Sequence, residues 1–118
     1  MARKLVLAAA VVAVFAAIAI PALARPTVNT HTIAVAASEF KFRLSRTSVA
    51  PNTRVIFIVT NNGKIAHDFK IAGKKTPLLQ AQKNAKLIVV FTKRGNYPYL
   101  CTVPGHAASG MKGVFRVK

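Results

Sequence analysis

Four side chains have the types and spacing to act together on one soft or borderline metal ion: His67, Cys101, His106 and Met111. Three of them lie in one short stretch, Cys101-x4-His106-x4-Met111, built around Pro104-Gly105. The fourth, His67, comes from a distant part of the chain, just after the turn signal Asn61-Asn62-Gly63. Two imidazoles, one thiolate and a weak thioether are soft enough for Cu(I) and keep Cu(II) away from its preferred tetragonal geometry. The expectation is therefore one copper ion of the type 1 kind. Donors carried on a rigid scaffold barely move when the charge on such an ion changes, which suits the carriage of single electrons. Each residue alone has a plainer reading. His67 would be an ordinary histidine beside a turn, Cys101 a small buried hydrophobe and Met111 a core filler. The joint spacing, in the one loop that holds the only cysteine, favours the metal.

Short β-rich runs separated by turn residues must position these donors. The runs are Thr32 to Ala37, Phe40 to Val49, Thr53 to Thr60, His67 to Ile71, Lys86 to Thr92, Tyr97 to Cys101 and Met111 to Val117. Alternation puts Val55, Phe57 and Val59 on one face, Leu87, Val89 and Phe91 on another, and Phe115 with Val117 inward. Gly95-Asn96 turns the chain into Tyr97, Tyr99 and Cys101, which share a face. The fold class expected is all-β, a Greek-key β-sandwich of about seven to eight strands. The single place for a helical turn or two is Thr76 to Lys83.

The N-terminus reads as a targeting segment. Arg3 and Lys4 precede an apolar run from Leu5 to Ile20, Pro21 ends the helical tendency, and Ala22-Leu23-Ala24 offers small residues at the positions a signal peptidase reads. Residues 1–24 are expected to be a signal peptide, and residues 25–118 the metal-binding domain. An uncleaved anchor is the alternative, because an apolar stretch of about 20 residues is just long enough to span a bilayer. Either way the domain is extracytoplasmic, periplasmic or secreted. Setting aside the first 24 of 118 residues leaves 94, enough for one small domain with little stability to spare. A single cysteine allows no internal disulfide, and a metal bond would both protect the thiol and add to folding stability.

The chain has 18 Lys and Arg against two acids, Glu39 and Asp68, for a net charge of +16. Without Arg3 and Lys4 it is +14. Such a field favours redox protein partners with an acidic docking surface, or an anionic membrane or wall surface. A solvated basic surface that serves solubility is the bland alternative. Nucleic acid is disfavoured, because the basic residues are scattered through strand-like segments of an exported chain. A monomer is expected.

Enzyme classes fare poorly. A catalytic copper would need further histidines, and only His31 remains, in the N-terminal tail, where it is read as incidental. A binuclear site needs a second cysteine, and hydrolysis needs paired acids or a nucleophile with its base. The competing non-enzymatic function is a copper carrier or store that uses the same donors, with exchangeable copper and no redox partner.

The segment Tyr99-Leu100-Cys101-Thr102-Val103-Pro104-Gly105-His106, followed by Gly110-Met111-Lys112-Gly113, resembles the copper loop of the cupredoxins, most closely the plastocyanin, pseudoazurin and amicyanin type. Asn61 to His67 resembles the loop that supplies the first histidine ligand. The resemblance implies a type 1 centre, electron transfer, and His106 as the solvent-facing ligand and electron port. The port would be ringed by Pro104, Gly105, Ala107 and Ala108, with Ile65 and Ala66 from the other loop. Lys64 and Lys112 would flank it, and Lys41 and Arg43 would lie away from the copper end. Two departures stand out. Many relatives carry Asn where this chain has Asp68, whose carboxylate could accept from Thr102 and whose backbone N–H could still point at the Cys101 sulfur. No acidic patch of the plant plastocyanin sort is possible.

Overall fold

Alternating residues build the core, as the strand patterns require. The computed structural model describes residues 2, 4, 6–21, 23 and 27–118. The chain order is β1 (Asn29–Ser38), β2 (Lys41–Leu44), β3 (Ser48–Val49), β4 (Thr53–Asn61), β5 (Lys70–Ile71), β6 (Lys74–Lys75), β7 (Asn84–Phe91), β8 (Gly95–Leu100) and β9 (Lys112–Val117). They form two sheets, β2-β1-β4-β7 and β3-β9-β8-β5-β6. Every second residue of β4, from Thr53 to Asn61, is buried, and β7 buries Leu87, Val89 and Phe91. Such half-buried strands need one apolar face, which the alternation supplies.

The sheets are mixed. β1 runs parallel to β4 from Asn29↔Thr53 to Ala37↔Asn61, while β4 and β7 are antiparallel. β3 runs parallel to β9, and β8 is antiparallel to both β9 and β5. Between the sheets Phe57 packs against Phe69, Phe115 and Phe91, with ring centroids 5.3, 5.6 and 6.3 Å away. Truncating so well packed a ring to alanine costs about 3–5 kcal/mol. A smaller cluster of Ala37, Cys101 and Met111 sits at one end, joined to the main core through Phe42.

The sandwich expected from the sequence is therefore observed, with nine strands where seven or eight were expected, because the run Phe40 to Val49 divides and a short β6 is added. Three local expectations change. Thr76 to Lys83 contains no helix. Thr76 instead uses its hydroxyl to accept from the Phe69 N–H, and Leu79 pairs with His67. Of the run His67 to Ile71, only Lys70–Ile71 is strand. Lys41 is not remote from the metal end: it opens β2 directly after the Glu39–Phe40 turn, which touches both histidine rings described below.

Residues 6–21 carry no helix or strand, and among the described residues no helix is long and apolar enough to cross a membrane. The cleavage position expected after Ala24 lies outside the described residues.

Candidate metal centre

The β4–β5 connection delivers His67. It is wound around the buried side chain of Asn61, whose Nδ2 donates to the carbonyls of Ile65 and Leu79, each at 2.8 Å, while its Oδ1 accepts from the Gly63 N–H at 2.9 Å. Two backbone hydrogen bonds with Leu79, one in each direction at 3.0 and 2.8 Å, then fix His67 itself.

The β8–β9 connection delivers the rest. Cys101 follows the last residue of β8, and its N–H donates to the Met111 carbonyl. The loop between them closes on itself through hydrogen bonds from the N–H groups of His106, Ser109, Gly110 and Met111 to carbonyls within the loop. Gly105 and Gly110 adopt φ of 82° and 111°, a region costly for other residues, which lets so short a loop reverse direction.

The two connections bring three donor atoms together. His67 Nδ1 lies 3.1 Å from His106 Nδ1. Cys101 Sγ lies 3.5 Å from His106 Nδ1 and 4.0 Å from His67 Nδ1. Nitrogen and sulfur donors bound to one first-row ion at about 2.0–2.3 Å sit about 3.3–3.8 Å apart, so this triangle needs shifts of only a few tenths of an ångström to enclose a single ion. The relative exposures of His67, Cys101 and His106 are 0, 1 and 8%. Met111 is fully buried and packs in the same cluster as Cys101, and its N–H donates to the His106 carbonyl. All four residues singled out in the sequence thus meet at one end of the sandwich. His31 does not join them. It sits on β1, with its ring against the Arg46 guanidinium.

With no cation bound, the surroundings of Cys101 favour the neutral thiol. Burial pushes the Cys101 thiol above its ordinary pKa, the Asp68 and Val103 N–H groups aimed at the sulfur pull it back, and the negative charge of Asp68 raises it further. Neutral sulfur is favoured until a cation displaces the proton. Asp68 is itself buried. Its Oδ1 accepts from the Thr102 N–H at 2.6 Å, its Oδ2 accepts from the Thr102 hydroxyl, and Lys75 Nζ stands 4.0 Å away. The carboxylate therefore ties the His67 side to the copper-type loop, as the residue after the first histidine was expected to do.

His106 is the less buried imidazole but is not openly exposed, because the Phe40 ring meets it edge-on at a centroid distance of 5.4 Å. Around it Pro104, Gly105 and Ala108 are exposed, Ala66 and Ala107 half-buried, and Ile65 exposed. Sequence reasoning assigned this rim without Phe40. Glu39 and Leu79 had no role in that reading, and Asn61 only that of a turn residue. The scarcity of acids was the one signal that could have drawn attention to Glu39.

The chain belongs to the cupredoxin-like family, whose domain matches residues 6–114. No curated protein matches it in sequence. Among solved structures it is similar to the dithionite-reduced auracyanin of Roseiflexus castenholzii, with a TM-score of 0.67 and 22% identity, over 74% of this chain and 96% of the other. Rusticyanin from Thiobacillus ferrooxidans gives 0.67 and 23%, over 76% and 78%. Auracyanin A of Chloroflexus aurantiacus, described as a "blue" copper protein, gives 0.64 and 19%, over 76% and 100%. At these identities the likeness is one of fold. The donor set, two imidazole nitrogens and a thiolate beside a thioether, independently fits one copper ion of the type 1 kind.

Proposed function

We propose that this chain is an exported type 1 copper protein that carries single electrons between redox partners, with His67, Cys101, His106 and Met111 as ligands. The convergence of His67 Nδ1, His106 Nδ1 and Cys101 Sγ in one buried cluster carries the reading. Copper held there would supply a Cu(I)/Cu(II) couple and no bond-making chemistry, so the protein is a carrier and not an enzyme. The residues do the rest. The sandwich fixes the donors, the small apolar rim of Pro104, Gly105, Ala107 and Ala108 gives a weak docking face, and His106 is the shorter way to solvent.

Residues 1–24 act as the export signal in this reading, and the domain works outside the cytoplasm as a monomer. Lys64 and Lys112 are exposed beside the two donor-bearing segments, which suits a partner with an acidic docking surface. The mature domain given one equivalent of Cu(II) should turn blue, bleach with a one-electron reductant and recolour on oxidation. A site that is colourless with Cu(II), or that yields its copper to a chelator and exchanges no electrons, would instead mark a copper store.

A further inference from the structure

The second nitrogen of His67 is the one buried side-chain polar atom among the described residues that lacks a hydrogen-bond partner. While Nδ1 faces Cys101 and His106, Nε2 points the other way, and Glu39 Oε1 lies 3.5 Å from it. That carboxylate is firmly held. Its Oε1 accepts from the Lys64 N–H at 2.7 Å and the Ile65 N–H at 3.2 Å, so it is locked to the segment leading into His67 although it comes from the β1–β2 turn.

Two further features are arranged around this carboxylate. A Cβ added at Gly63 would collide with it, and Gly63 is not among the glycines with positive φ, so the glycine is needed for the carboxylate and not for the backbone. Next to Glu39, Phe40 holds a φ of 62°, a strained value for a bulky residue. The strained turn sets Glu39 behind one histidine and the Phe40 ring against the other.

We propose that Glu39 is a positioning residue for the metal centre, its carboxylate taking the Nε2–H of His67 and so fixing the tautomer whose Nδ1 lone pair faces Cys101 and His106. A ligating histidine whose far N–H meets a carboxylate is both oriented and made more basic. An anionic partner favours the more highly charged Cu(II) over Cu(I). The tautomer claim is independent of metal, and the redox claim rests on the copper reading above.

The test begins with nitrogen-15 NMR of the metal-free protein. Wild type and Glu39→Gln should show His67 protonated on Nε2 and bare on Nδ1, because the amide oxygen still accepts. Glu39→Ala should lose that preference. Competition with chelators should then show Cu(II) binding weakened tenfold or more in Glu39→Ala. Cu(I) binding should weaken less, and the potential should rise by about 59 mV for each tenfold difference between the two. Glu39→Gln should recover most of the Cu(II) affinity. Gly63→Ala, which expels the carboxylate from the other side, should reproduce the alanine variant, and the two together should add little. Glu39→Ala with wild-type tautomer and wild-type affinities for both ions would overturn the proposal, as would Glu39→Gln losing the tautomer. Wild-type protein that binds no copper would defeat the function reading and leave the tautomer comparison to decide the role of Glu39.

Discussion

The two connections that bring the donors together are stabilised in opposite ways. The segment from Cys101 to Met111 closes through its own backbone, with His106, Ser109, Gly110 and Met111 all donating within it. The segment from Asn61 to His67 depends on distant residues as well as Asn61: Leu79 on both sides of His67, and Glu39 under Lys64 and Ile65. A loop closed largely by its own backbone, with Asp68 tied to Thr102, carries three of the four candidate donors. The fourth donor is held only once the sandwich has formed, so the geometry of the centre depends on folding at His67 more than at Cys101.

Three substitutions test that contrast. The largest effect should come from Cys101→Ser, which removes the thiolate and with it the blue colour of the copper-loaded domain. Since the loop closes through its backbone, urea unfolding of the metal-free variant should stay within about 1 kcal/mol of wild type. A large loss there would mean that the sulfur supports the loop. Next comes Asn61→Ala, which strips the wrapped segment of three hydrogen bonds, two given to the carbonyls of Ile65 and Leu79 and one accepted from the Gly63 N–H. It should cost about 3 kcal/mol in urea unfolding. Ser109→Ala, at an exposed position in the self-closed loop, should cost almost nothing.

A smaller effect concerns charge. Reversing Lys64 and Lys112 to Glu should slow electron exchange with ferricyanide by about an order of magnitude at low salt, and less as ionic strength rises. Because Lys41 begins just after the turn that touches both histidines, the better control is Lys93 with Arg94, in the β7–β8 turn at the other end of the sandwich. Equal slowing by both pairs would mean that total charge governs the encounter. The smallest effect should be Asp68→Asn. One oxygen still accepts from the Thr102 N–H, but the charge beside Cys101 is lost. Cyclic voltammetry should show the potential raised by less than about 59 mV, the equivalent of a tenfold change for one electron. An unchanged potential would show that Asp68 acts only as a tie between the connections.

Legibility in the sequence follows the same division. The Cys101, His106 and Met111 pattern is contiguous, so spacing alone exposes it, and the alternation in β4 and β7 exposes the core for the same reason. Glu39 lies 25 residues before Lys64, and nothing local to either marks their hydrogen bond. Phe40 reads as the start of a strand, yet it occupies a turn at positive φ that its own chemistry disfavours. Leu79 falls in a polar stretch that resembles a helical turn, and only the pairing with His67 gives it a role. Contacts made by tertiary pairing leave no periodic trace.

The most direct measurement of the central claim is anomalous diffraction at the copper edge from crystals of the copper-loaded domain. The account predicts one strong peak enclosed by His67 Nδ1, His106 Nδ1 and Cys101 Sγ, next to the buried Met111. A principal peak elsewhere, at His31 for example, or a centre that lacks Cys101 among its ligands, would contradict it.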